Sequence, residues 1–158
     1  MQGTDGRARC GWVGADAEYL RYHDEEWGIP LHGDRALFEK MALEGFQAGL
    51  SWITILRKRP RFREVFDGFE PARVAAFGEA DVARLMADAG IIRNRAKIEA
   101  TIGNARLVEQ MADGELDALM WSFAPAASSF ARWAPSSTPV TTSAWVATSR
   151  CSRRSMAT

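Results

Sequence analysis

The stretch that decides the fold is Leu85-Met86-Ala87-Asp88-Ala89-Gly90-Ile91-Ile92-Arg93-Asn94-Arg95-Ala96-Lys97-Ile98-Glu99-Ala100-Thr101-Ile102-Gly103. Ahead of Gly90, a helix is predicted over 79–89 with Leu85 and Met86 turned inward, and Gly90 is a natural stop because glycine ends helices readily. Behind it, Asn94 starts a second helix reaching about residue 111, whose Ile98, Ile102, Ala105 and either Leu107 or Val108 share one stripe. Two helices around the four-residue turn 91–94 have the layout of a helix-hairpin-helix, in which turn amides and a helix N-terminus face a phosphate. Gly90 and Ile92 belong to that turn, and Arg93, Arg95 and Lys97 add positive charge beside it. A plain helical hairpin has the same layout, so this pattern leaves DNA binding open.

Working outward, helical periodicity recurs and strand signals are sparse, so an all-α fold is expected. Leu37, Phe38, Met41 and Ala42 follow helical spacing, with Asp34 placed to cap the start. Gly45 and Gly49 then loosen the chain. Ser51 can cap another helix on which Trp52, Ile55, Leu56 and Arg59 share a face. A short helix is expected over 71–77.

Among 158 residues, 47% are hydrophobic and 25% charged, an ordinary globular balance that argues for one core. Twenty basic and twenty acidic side chains cancel, so the whole molecule has no field for polyanions and any DNA contact needs a local patch. The balance is uneven along the chain. Residues 124–158 hold eight Ser, five Thr, eight Ala and four Arg, and no Asp, Glu, Lys or Gly. That composition predicts a low-complexity tail without packed structure behind a helical domain over 1–123. Residues 1–9 lack the apolar stretch of a signal peptide, and no apolar run is long enough to span a bilayer. A cytoplasmic, monomeric protein with no membrane association is the expectation.

Two further stretches hold candidate chemistry. From Cys10-Gly11-Trp12 the chain runs through Tyr19, Tyr22, His23 and Asp24 to Glu26-Trp27-Gly28. Cys10 and His23 are metal-ligand types, yet a tetrahedral zinc site needs four, so spacing alone favours a small hydrophobic cysteine and a surface or capping histidine over a metal pair. His32 falls in a loop and is given no chemistry. In Leu43-Glu44-Gly45-Phe46-Gln47-Ala48-Gly49-Leu50-Ser51-Trp52, Glu44 follows Met41 by three and Leu37 by seven, which assigns it to the inward helical face. A carboxylate there persists if it is paired or protonated, or if it serves a polar ligand, and a cation would suit it especially well. A buried Glu held by an Arg or by backbone amides is the alternative.

Taken together, Cys10-Gly11-Trp12, the Tyr19 to Gly28 run, the Leu43 to Trp52 run and Gly90-Ile91-Ile92-Arg93-Asn94-Arg95-Ala96-Lys97-Ile98 resemble the 3-methyladenine DNA glycosylase I family over residues 9–123. The resemblance implies a helix-hairpin-helix protein that binds alkylated double-stranded DNA, flips a damaged nucleotide out, and hydrolyses the N-glycosidic bond of 3-methyladenine during base excision repair. It implies that Glu44 reads the base edge as the catalytic pocket carboxylate. It implies too that Trp12, Tyr22 and Trp52 line and stack on the adenine, with Tyr19 nearby, and that Gly90, Ile92, Arg93, Arg95 and Lys97 hold DNA. A cationic purine suits rings and a carboxylate and is already a good leaving group, so water suffices as nucleophile and neither a lysine imine nor strand nicking is expected.

Family members also hold a structural zinc through counterparts of Cys10 and His23 and a later His and Cys. Here no histidine follows His32, and the surroundings of Cys151 do not resemble the family, so the second ligand pair is absent. A shift of reading frame soon after Phe123 is the expected origin of the altered end. A DNA-binding relic without catalysis is the alternative function, ahead of a zinc-stabilised helical protein with no DNA role.

Overall fold

The computed structural model describes residue 6 and residues 8–123, which are helical and contain no β-strand; the expected tail over 124–158 lies outside the described residues. Seven α-helices follow in order: α1 (Ala17–Glu25), α2 (Asp34–Gln47), α3 (Trp52–Val65), α4 (Pro71–Ala75), α5 (Glu79–Ala87), α6 (Arg95–Val108) and α7 (Glu115–Ser122). They fall into two compact units that divide between Pro30 and Leu31. Among the described residues no helix is long and apolar enough to cross a membrane.

In the unit from Leu31 onward, α6 packs on α2, α4 and α5, and α2 also meets α3 and α7. The stripe read from sequence is the buried one: Ile98, Thr101, Ile102, Ala105 and Val108 face inward, while Leu107 is exposed. The core is a phenylalanine cluster. Phe46 and Phe62 lie 4.6 Å apart, and Phe66 stacks on Phe69 at 5.3 Å and touches Phe77 at 6.2 Å. Removing a ring of this size from water stabilises by about 1.5–3 kcal/mol. Such burial holds Phe69 at φ 56, a left-handed conformation that bulky residues avoid.

Asp34 does not cap its own helix, which begins after Gly33 without a side-chain cap. Its carboxylate accepts from Gly114 N at 2.8 Å and Asp117 N at 2.9 Å, capping α7 instead. Asp117 accepts in return from Gly33 N at the start of α2. Each helix thus satisfies orphan amides of the other, a pairing no local motif reveals. His32, placed in a loop as expected, does have partners: Nδ1 lies 3.0 Å from Asp117, and the ring stacks on Trp121 at 4.7 Å.

Candidate active site

Glu44 and Trp52 sit on either side of the turn between α2 and α3. Gly49 adopts φ 84, where glycine has no steric penalty, and this lets Leu50 N donate to Gln47 O at 2.7 Å while Gln47 Nε2 donates to Leu50 O at 2.7 Å. Ser51 occupies the N-cap of α3, but its hydroxyl bonds Thr54 Oγ1 at 2.8 Å and no backbone amide. From α6, the Lys97 ammonium donates to Phe46 O at 3.0 Å and Ala48 O at 2.7 Å, covering the carbonyls that end α2. A cation at a helix C-terminus is favourable both as donor and against the helix dipole.

The expectation that Glu44 faces inward is overturned, because its side chain is 51% exposed. The buried face of α2 is set by Phe38, Ala42 and Phe46, four residues apart. Glu44 is two residues from both Ala42 and Phe46, about 200° of helical rotation, and so lies on the opposite side. Leu37, on the same side as Glu44, is buried at the end of the helix that meets α7, which is why a spacing of seven misled. Glu44 is neutralised by Lys40 one turn earlier, Nζ to Oε1 2.9 Å, and no buried arginine is involved. The same ammonium lies 4.1 Å from the centre of the Trp52 ring, whose residue is 7% exposed. Carboxylate, cation and indole face are therefore in one place. Sequence reading passed over Lys40, although a Lys four residues before a Glu on a helix is a recognisable pair.

The amino-terminal unit assembles the other aromatic residues. Asp16 caps α1 by accepting from Glu18 N at 3.0 Å and Tyr19 N at 3.2 Å, which fixes the helix that carries Tyr19, Tyr22 and His23. Trp12 stands edge-on to Tyr19 at 5.4 Å, to His23 at 5.7 Å and to Trp27 at 5.5 Å, and Tyr22 lies 6.2 Å from Trp27. Arg9 grips Asp24 through two nitrogens, Nε to Oδ1 2.9 Å and the terminal amine to Oδ2 2.6 Å. Asp24 in turn meets His23 Nδ1 at 3.0 Å. Sequence reading did not assign Trp27, Arg9 or Asp24, though two of them lie inside the quoted motif.

At the hairpin, the stop falls two residues earlier than expected, with Asp88 as C-cap of α5, and α6 ends at Val108. Asn94 caps α6 as read, accepting from Lys97 N at 3.1 Å. Gly90 is required by close approach: a Cβ there would meet Arg61 Cγ at 2.6 Å and Asp88 Oδ1 at 2.9 Å. Its N–H donates to Asp88 Oδ1 at 2.7 Å, and Arg61 pairs with Oδ2 of the same carboxylate at 2.7 Å. The Arg61 guanidinium first, and then the Gly90 amide, hold the Asp88 carboxyl below its ordinary value.

The three cations assigned to DNA have different settings. Arg95 is bound to Glu79 at 2.6 Å and Glu99 at 2.9 Å, which raises its already high pKa, Glu79 being the larger cause. Lys97 is held on the α2 carbonyls. Arg93 is exposed and makes no hydrogen bond or ion pair among the described residues. Ile92 is half-buried in the turn.

An all-helical protein with a helix–turn–helix hairpin beside a carboxylate and indole pair is the class that this architecture defines. A family model described as methyladenine glycosylase matches residues 12–154, running on past Phe123, and the chain belongs to that family. DNA-3-methyladenine glycosylase 1 of Escherichia coli (strain K12) is 56% identical over 118 residues, which cover 73% of this chain and 63% of that protein. DNA-3-methyladenine glycosylase of Haemophilus influenzae is 45% identical over 117 residues, again 73% and 63%. A solved 3-methyladenine DNA glycosylase I superposes with a TM-score of 0.70 at 50% identity, over 73% of this chain and 65% of that one. A variant of such an enzyme, solved in complex with 3-methyladenine, gives 0.66 at 37% identity, over 72% and 62%. The chain spans 63% of the length of the curated relatives it matches.

Proposed function

We propose that the protein is a monofunctional DNA-3-methyladenine glycosylase, acting as a monomer on alkylated double-stranded DNA. The observation that carries this reading is the Glu44 carboxylate and the Trp52 ring face disposed about one position that a cation occupies. An N3-alkylated adenine still bound to its sugar is such a cation, and its positive charge makes the base a ready leaving group. In the reaction the N-glycosidic bond breaks with its electron pair passing to the base, which becomes neutral; water bonds to the sugar carbon and loses a proton. Glu44 pairs with the charged base and selects it against unmodified adenine. Because the bond is inaccessible within the stack, the nucleotide must be turned out of the duplex first. Trp12, Tyr19 and Tyr22 hold base-contacting roles by family resemblance, and the backbone of 90–93 with Arg93 is assigned to phosphate. Purified protein should release free 3-methyladenine from methylated DNA without strand cleavage, and Glu44→Gln should lower the rate at least about tenfold, the effect of losing roughly 1.4 kcal/mol. Equal release by Glu44→Gln would reject the assignment. Binding to abasic duplex with no release would favour the reading of a DNA-binding relic.

Zinc belongs to the same proposal. His23 has its Nδ1 directed to Asp24, while its buried Nε2 has no hydrogen-bond partner among the described residues, which fits an imidazole oriented for a metal. Cys10 is buried, and as a thiolate it could ligate. Among the described residues no three His, Cys, Asp or Glu side chains are grouped for a metal. Cys10 and His23 would then hold zinc as half a site that tethers the amino-terminal segment, with affinity far below that of four ligands. Metal analysis of reduced protein giving one tightly held zinc per chain would reject this.

A further inference from the structure

We infer that Lys40 is a built-in competitor for the cationic base, an ammonium resident on the carboxylate and ring that the substrate must displace. The inference rests on the reading of Glu44 and Trp52 as base-contacting residues. Lys40 precedes Glu44 by four residues on α2, the order of an intrahelical pair that is less favourable against the helix dipole. Helix stability is therefore a poor account of the contact. The side chain also reaches beyond its own helix, bringing Nζ over the indole of the first residue of α3 at 4.1 Å. It thereby makes both interactions that a methylated purine cation needs, an ion pair to a carboxylate and a cation over an electron-rich face.

Displacement is feasible. The Lys40 and Glu44 side chains are 37% and 51% exposed, so their pair is screened by water and weak. The flexible lysine stem can swing its ammonium into solvent without disturbing the backbone. An incoming cation replaces the lost charge at Glu44. A neutral base does not; to stack it displaces the ammonium from the ring but leaves it on the carboxylate. Lys40 thus weakens ground-state binding of the charged base.

The test uses the full chain, with 3,9-dimethyladeninium as a permanently charged probe and 9-methyladenine as its neutral counterpart, binding being followed by tryptophan fluorescence. Lys40→Met is expected to tighten the charged probe about three- to tenfold, the range of one weak ion pair plus one cation–π contact. Lys40→Arg, which retains the charge, should stay within about twofold of wild type, and the neutral probe, which displaces the ammonium from the ring alone, should tighten less than the charged one on Lys40→Met. Lys40→Gln serves if the methionine variant loses its helical circular dichroism. No tightening of the charged probe, or equal tightening of both probes, overturns the inference. If Glu44→Gln fails to weaken the charged probe on otherwise unchanged protein, the base-contacting reading itself fails. If it does weaken it while the Lys40 variants bind as wild type, only the competitor role is lost.

Discussion

Replacing Lys97 distinguishes an internal helix cap from a phosphate contact. Its ammonium donates to Phe46 O at 3.0 Å and Ala48 O at 2.7 Å, so Lys97→Met removes two charge-assisted bonds and leaves the last carbonyls of α2 to water. A hydrogen bond to a charged group contributes about 1.5–3 kcal/mol net, and a cation at a helix C-terminus about 0.3–1 kcal/mol. Lys97 is only half-buried, so water recovers part of the loss, and the methionine retains the packing of the stem. The expected cost is about 1–2 kcal/mol, or a fall of about 3–8 °C in Tm for a domain of this size. Urea unfolding at pH 7 measures the first quantity and thermal melting the second, with Lys97→Arg expected to recover part of both. The paired assay is the salt dependence of DNA binding. Neutralising a phosphate contact would lower the slope of log K against log salt by about 0.9, whereas loss of an internal cap leaves that slope unchanged. Unaltered stability together with a reduced slope would refute the internal role and return Lys97 to the phosphate.

Gly90→Ala should lower stability to urea, since the new methyl would meet Arg61 Cγ at 2.6 Å and displace Arg61 from Asp88, against which the unfolded chain's lost entropy offsets about 0.4–1 kcal/mol. A variant as stable as wild type in urea would show that Arg61 yields freely. The Asp117 carboxyl is held below its ordinary value by the Gly33 amide first and by His32 second. A lowered carboxylate pKa gives stability that is present above the unfolded value and lost as pH falls through the folded one. Asp117→Asn should therefore flatten the decline in Tm below about pH 4, the ordinary aspartate value, and a parallel decline in both proteins would remove Asp117 from the acid response.

The hairpin was legible because Gly90 and Asn94 act locally: one accommodates a close approach, the other accepts from an amide three residues away. The stripe of α6 was legible for the same reason, its period being a property of a single helix. Asp34 was misread because the amides it caps lie some eighty residues on, at Gly114 and Asp117. Glu44 was misread because periodicity gives a direction around a helix but not what covers that side at a given height. For Arg95 and Lys97 the sequence supplied the charges and withheld the partners, Glu79, Glu99 and two carbonyls of α2. The motif that carries Glu44 and Trp52 brings a carboxylate and an indole face together around Lys40, but the inward face read for the acid was wrong.

In the unit that begins at Leu31, the first and last turns of chain are fastened together. Trp121 Nε1 donates to Leu31 O at 3.0 Å, and the crossed Asp34 and Asp117 caps lie alongside. A polypeptide whose two extremities touch in this way is suited to circular permutation. A few glycines and serines, spanning about 5–6 Å times the square root of their number, would join position 123 to position 31. New ends could then be opened at the exposed turn around Asp113 without disturbing the phenylalanine cluster or the hairpin.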